Sequence, residues 1–232
     1  MIDYAHILKN GVEISSSGTT GEPKMVLRTP DNLQACIDVA IDAQQLVRSS
    51  KVLTVTRMTH AGGLLTQTLP AYSIGADFTV IKFNPYSFLK DFVDYTHTFL
   101  APAQMTALMN TKGFKDCDLT GKRILGGSDP VSWEMIEAFV SKGAIVQPNW
   151  GMSEIGPITI NIEFDSMDKV QYVKQRSPDD YTIMGDTYYC DWKIVKQELY
   201  VKGPTSIYDE WFATGDNVAL DMGRRMYYIG RK

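Results

Sequence analysis

Between Lys51 and Trp150 the chain alternates short apolar runs with amphipathic stretches, and this alternation constrains its fold more than any other feature. Strand-like runs lie at 52–56, 78–81, 98–101, 123–125 and 144–146. Helix-like segments fall between them, near 64–72, 86–95, 103–110 and 133–141. Strand and helix in steady succession predict βαβ units, hence an α/β class with a mainly parallel sheet and flanking helices. Ligands of such sheets gather at the carboxyl ends of the strands, where the loops are.

The flanks read differently. Residues 12–14 predict a short strand entering a Ser/Gly/Thr-rich stretch at 15–21, and residues 25–27 predict the strand leaving it. Thr29-Pro30-Asp31 then opens a helix, because Pro30 suits a first helical position and Leu33, Ile37, Ala40 and Ile41 share one face. After Ile162 the texture changes to short strand candidates at 182–184, 188–190, 193–195, 198–201, 218–220 and 226–229. The expected organisation is an α/β portion, 1–163, followed by a smaller β-rich portion, 164–232, with the polar stretch 165–180 as the connecting loop. Internal repeats and low-complexity tracts are not visible.

Composition narrows the function classes. With 232 residues, 44% hydrophobic and 22% charged, the chain can bury a sizeable core. A net charge of −4 without a Lys/Arg run argues against a nucleic-acid groove. The three cysteines, Cys36, Cys117 and Cys190, lie far apart without CxxC spacing, which suits a reducing compartment. The N-terminus shows no secretory pattern, and no apolar run approaches the ~18 residues of a membrane span. A cytoplasmic protein, bound neither to membrane nor to nucleic acid, is expected.

Chemistry enters with Ser15-Ser16-Ser17-Gly18-Thr19-Thr20-Gly21-Glu22-Pro23-Lys24. Glycines let backbone N–H groups turn inward, hydroxyls add donors and a lysine adds charge, a combination suited to polyphosphate. The run is not a Walker loop, since the lysine follows proline and a strand rather than a helix comes next. Its order, Ser-Gly-Thr-Thr-Gly-x-Pro-Lys, resembles the phosphate loop of the adenylate-forming superfamily of acyl-CoA and aryl-CoA ligases, luciferases and peptide-synthetase adenylation domains.

The resemblance continues down the chain. Ile124-Leu125-Gly126-Gly127-Ser128 resembles the strand and glycine loop lying along the adenine. Asn149-Trp150-Gly151-Met152-Ser153-Glu154 resembles the aromatic-Gly-x-Thr-Glu motif, with Trp for the usual Tyr and Ser for the usual Thr. It implies that Trp150 flanks the adenine, Ser153 touches the α-phosphate and Glu154 holds Mg²⁺. Trp211-Phe212-Ala213-Thr214-Gly215-Asp216 resembles the Trp-x-x-Thr-Gly-Asp segment, whose aspartate accepts from the ribose hydroxyls. Tyr228-Ile229-Gly230-Arg231 resembles the Gly-Arg element whose arginine reaches the ribose. Ser17 through Gly21 and Lys24 would hold the phosphates, with Thr20, Lys24, Ser153 and Glu154 acting at the reacting end.

His60-Ala61-Gly62-Gly63-Leu64 resembles the family's His-x-x-Gly-Leu stretch at the acyl pocket, which implies that His60 lines the carboxylate's entry and that Ala61, Gly62 and Met152 help to shape the pocket; within that family the wording leans toward o-succinylbenzoate–CoA ligases. The implied reaction joins a small carboxylic acid to ATP, giving an acyl-adenylate and pyrophosphate. Coenzyme A or another acceptor, delivered with a partner protein, would be the next reactant. Against the family's length, the chain starts just before the phosphate loop and stops at the Gly-Arg element, so the family's C-terminal domain and its lysine are expected to be absent. Two alternatives stay open: a module that binds ATP, AMP or an acyl-adenylate without turnover, and one half of a split ligase.

Overall fold

The computed structural model describes residues 2–16, 24–178 and 181–232, with the backbone alone at Ser16 and Lys24. Helix α1 (Tyr4–Asn10) is capped by Asp3, whose carboxylate accepts from the His6 amide at 2.9 Å. Strands β1 (Val12–Ser16) and β2 (Lys24–Arg28) form the antiparallel pair expected on either side of the Ser/Gly/Thr run. Their period-2 pattern turns Ile14, Val26 and Arg28 inward and leaves Met25 and Leu27 exposed. Helix α2 (Pro30–Gln44) begins where the sequence predicts, with Thr29 as N-cap, and buries Leu33, Cys36, Ile37 and Ala40.

The alternating region follows. Strand β3 (Lys51–Thr54) leads through a short helix α3 (Ala61–Gly63) and a π-helical stretch (Leu64–Thr68) into α4 (Leu69–Ile74). Next come β4 (Asp77–Val80), α5 (Phe88–Asp91), β5 (His97–Leu100), α6 (Pro102–Met109) and α7 (Lys112–Lys115). Strand β6 (Arg123–Gly126), α8 (Trp133–Val140), β7 (Ile145–Met152) and β8 (Gly156–Asn161) complete it. Strands β3 to β7 pair in parallel, and β5 and β6 are buried along their whole length, as strands covered on both faces must be. Their core joins Leu100, Ile124 and Val146 to Phe139 of α8. Each fully buried side chain of this size is worth ~1.5–3 kcal/mol.

The last third contains α9 (Met167–Lys174) and strands β9 (Thr182–Gly185), β10 (Thr187–Tyr188), β11 (Asp191–Val195), β12 (Glu198–Lys202), β13 (Phe212–Leu220) and β14 (Met226–Arg231). The first sheet has seven strands in the order β10-β8-β7-β6-β5-β3-β4, and the second has five in the order β11-β12-β13-β14-β9. The second is antiparallel throughout. This is the mainly parallel α/β sheet with a separate β-rich part that the sequence predicts.

Several elements differ from expectation. The helix expected at 86–95 shrinks to Phe88–Asp91, while the one expected at 64–72 splits into a π-helical stretch and α4. The strand expected at 144–146 runs on to Met152 and returns antiparallel as β8. Residues 167–174, read as loop, form α9, because Val170 and Val173 at i and i+3 bury against the first core and Lys174 pairs with Glu137 of α8 at 2.8 Å. Tyr188, expected among the β-rich strands, pairs with Ile160 in the first sheet. Among the described residues no helix is long and apolar enough to cross a membrane.

Candidate nucleotide and acid site

The carboxyl ends of the parallel strands face the second sheet across a cavity of about 510 Å³. The loop after β3 contributes His60, Ala61 and Gly62, and the loop after β6 contributes Ser128. The end of β7 and its turn contribute Asn149 and Gly151 through Glu154. From the second sheet come Thr214, Gly215 and Arg231. Residues from 60 to 154 meet on one surface because parallel strands deliver their following loops to the same edge, and the antiparallel second sheet sets Thr214, Gly215 and Arg231 against them.

One contact behind this wall sit Gly126, Gly127, Trp150 and Asp216. Asn149 Nδ2 donates to the Gly126 carbonyl at 2.8 Å, and a Cβ on Gly127 would stand 3.0 Å from Asn149 Oδ1. Gly151 is required by the hairpin itself, since a Cβ there would lie 2.4 Å from the Gly156 carbonyl oxygen. Trp150 Nε1 donates to Asp216 Oδ2, and Arg231 Nε approaches Asp216 Oδ1 at 3.8 Å. Asp216 is buried, and burial raises its pKa above the ordinary carboxylate value; the Trp150 bond and Arg231 pull it back only in part.

Two cavity carboxylates differ in their engagement. Glu198 accepts from the Gly215 amide at 3.1 Å and pairs with Lys232, which holds its carboxyl below the usual range. Glu154 is half-buried at the β7–β8 turn, and its backbone carbonyl accepts from Ile207 N at 2.9 Å. No group of three or more His, Cys, Asp or Glu converges among the described residues. A single carboxylate on a cavity wall still fits magnesium, which is commonly held by one or two carboxylates together with substrate phosphates.

On the other side, His60 Nδ1 donates to the Ser15 carbonyl at 3.1 Å, tying the loop after β3 to β1. A Cβ on Gly62 would come 3.1 Å from Phe99 Cε1, so Gly62 lies flat against that ring. A second cavity of about 470 Å³ shares His60, Gly62, Phe99 and Ser128 with the first and continues between Val55, Ile81 and Phe83. Two backbone positions beside the site are unusual: Ser128 has φ 74° and the buried Ile158 has φ 56°. Such angles are costly for non-glycine residues and cluster at functional sites.

The expected site residues His60, Ala61, Gly62, Ser128, Asn149, Gly151, Met152, Ser153, Glu154 and Arg231 therefore line the cavity, whereas Gly126, Gly127 and Asp216 do not and instead contact the lining residues Asn149 and Arg231, with Trp150 bonded to Asp216. Ser17, Gly18, Thr19, Thr20 and Gly21 lie outside the described residues, and Lys24 enters only as the first backbone unit of β2. Residues not anticipated from the sequence include Thr66, Phe99 and Glu198 on the wall and Arg28 behind it. Arg28 did carry a signal: strand alternation puts it on the inward face with Val26.

Comparison with known proteins identifies the family and the fold. The family described as AMP-binding enzyme matches residues 14–205. The indoleacetate–CoA ligase of Aromatoleum aromaticum is 28% identical over 240 residues, covering 94% of this chain and 46% of that protein. The N-terminal domain of FACL13 from Mycobacterium tuberculosis superposes with a TM-score of 0.78 at 16% identity, covering 95% of this chain and 60% of that one. The o-succinylbenzoate–CoA synthetase of Bacillus subtilis in complex with AMP gives 0.77 at 20% identity, covering 95% of this chain and 49% of that one. The chain spans about half the length of curated relatives that it matches along nearly its whole length.

Proposed function

This chain belongs to the AMP-binding enzyme family, and on that premise we propose that it binds ATP and activates a carboxylic acid as an acyl-adenylate. The observation that supports this reading most is the convergence on one cavity of His60, Asn149, Glu154 and Arg231, with Asp216 and Trp150 just behind it. In this reading the adenine lies along Gly126, Gly127 and Trp150, and the ribose hydroxyls donate to Asp216 beside Arg231. The triphosphate extends toward Ser153 and Glu154, with the run from Ser17 to Lys24 supplying further donors. The acid enters past His60, Ala61, Gly62 and Met152.

The chemistry asks little of a base. A carboxylate is already ionised at neutral pH; its oxygen attacks the α-phosphorus, the bond to the bridging oxygen breaks, and pyrophosphate leaves with that electron pair. Catalysis is then in-line positioning and neutralisation of negative charge. Magnesium carried with the triphosphate would supply part of that neutralisation, and Glu154 is the residue that would hold it. Arg231 supplies fixed positive charge at the ribose end of the nucleotide.

ATP–pyrophosphate exchange across a panel of aromatic and aliphatic acids tests the reading, with thermal unfolding as the binding control. Saturating ATP at about 100 times its dissociation constant should stabilise the fold by about 2.7 kcal/mol. Acid-dependent exchange supports adenylation. Stabilisation without exchange for any acid leaves a nucleotide-binding module. Neither effect, with the fold intact, rejects the proposal.

A further inference from the structure

Arg28 is wholly buried, yet among the described residues its guanidinium meets an amide, a thiol and backbone carbonyls and no carboxylate. Its Nη1 donates to Asn32 Oδ1 and to the Thr205 carbonyl at 2.8 Å, and lies 3.3 Å from Cys36 Sγ. Its Nη2 donates to the Ser153 carbonyl. Asn32 extends the clamp, donating to the carbonyls of Pro204 at 3.0 Å and Ser206 at 2.9 Å. The adjacent carbonyl of Glu154 accepts from Ile207 N. One guanidinium and one amide thus bind together the end of β2, the β7–β8 turn and the loop after β12.

A buried cation is a poor device for stability alone, because apolar side chains of similar volume usually serve as well or better. What Arg28 offers over Leu or Met is directional: a planar fork that fixes backbone carbonyls on two segments at once. Burial lowers its pKa, and the charge of Glu154 opposes that shift. The Glu154 carboxylate therefore lies within electrostatic reach of the guanidinium. A positive charge behind the turn also favours anions in front of it.

We infer that Arg28 is a positioning residue that sets the Ser153–Glu154 turn for the phosphate end of the nucleotide. The inference rests on the adenylation reading above. It acts through the Ser153 carbonyl and touches no reactant. The nucleoside end, held at Trp150 and Asp216, is anchored by other contacts and does not depend on it.

The test measures the affinity of the full chain for adenosine, AMP and ATP, the last with and without magnesium, in Arg28→Lys and Arg28→Met. Lysine keeps the charge and loses the fork; methionine loses both. Arg28→Lys should weaken magnesium–ATP by about tenfold, equivalent to about 1.4 kcal/mol. Adenosine should stay within about twofold, as expected for a site with no shared contact. Arg28→Met should weaken magnesium–ATP further, and the gain in ATP affinity on adding magnesium should shrink in both variants. Should neither variant fold, Asn32→Ala carries the test, with the same ordering of ligands and a smaller loss. Equal weakening of all ligands, or none, overturns the inference and leaves the nucleotide site standing. A wild-type chain that binds no nucleotide overturns both.

Discussion

The indole Nε1 of Trp150 donates to Asp216 Oδ2 at 2.9 Å, linking the end of β7 to β13 across the seam between the sheets. Burial raises the Asp216 pKa, so the folded chain holds this proton more tightly than the unfolded chain does. Its contribution to stability therefore falls as pH rises from the ordinary carboxylate value through the raised one. Asp216→Asn should flatten that slope in acid-range urea titrations, and Trp150→Phe should steepen it. Asp216→Asn should also weaken adenosine, AMP and ATP alike, by about 1.5–3 kcal/mol. A loss confined to ATP would move the ribose elsewhere.

His60 predicts the behaviour of the acid side. The Ser15 carbonyl can only accept, so Nδ1 carries the hydrogen and Nε2 remains available to the cavity. His60→Ala should weaken binding of the acid by about 1–2 kcal/mol through the packing area lost with the ring, since an acceptor at Nε2 cannot bond directly to a carboxylate. His60→Asn keeps a donor for Ser15 and should hold the loop in place while still losing the acid contact. Calorimetry with an aromatic acid in the presence of AMP checks this. Loss of AMP binding in His60→Asn would place His60 on the nucleotide instead.

His97 limits acid stability far from the site. It is buried, with Nε2 donating to the Gln44 carbonyl at 3.1 Å, and burial lowers its pKa from 6.5 to about 4. The unfolded chain therefore binds a proton between these values that the folded chain refuses. Stability from this group is complete above 6.5 and is lost as pH falls toward 4, about 3 kcal/mol in all. His97→Gln should remove much of the drop in urea midpoint between neutral pH and about pH 5. An unchanged drop would assign the acid sensitivity to other groups.

Ser128 holds φ 74° with its side chain exposed at the cavity rim. A non-glycine residue there costs roughly 1–2 kcal/mol, whereas glycine gives back part of that through the freedom of its unfolded chain. Ser128→Gly should therefore raise the unfolding free energy by up to ~1 kcal/mol in denaturant titration. Destabilisation would mean that the hydroxyl makes a contact worth more than the strain.

What could be read from the residues followed their physics. Strands β5 and β6 were legible because a strand buried on both faces must be apolar throughout, and α2 because its cap and stripe are local. Strand β8 was not, since it opens with Gly156-Pro157, a turn-like pair, and its pairing with β7 is tertiary. Helix α9 buries only Val170 and Val173, too few to stand out from a polar loop. At the site, the family resemblance pointed to Glu154, Asp216 and Arg231, and the structure gathers them at or beside one cavity. The pairing of Glu198 with Lys232 left no pattern, because neither position has a local reason to seek the other.

Strand β10 belongs to the first sheet although its chain neighbours, β9 and β11, belong to the second. The polypeptide therefore leaves the second sheet, takes one stitch through the edge of the first at Thr187 and Tyr188, and returns. Gly185 permits the crossing, since a Cβ there would meet the Asn161 backbone at 2.2 Å. A seam sewn this way cannot gape without ripping β10 from β8, so partial melting of either sheet propagates to the other. A nucleotide bound as proposed would then stabilise both sheets together, raising one unfolding transition.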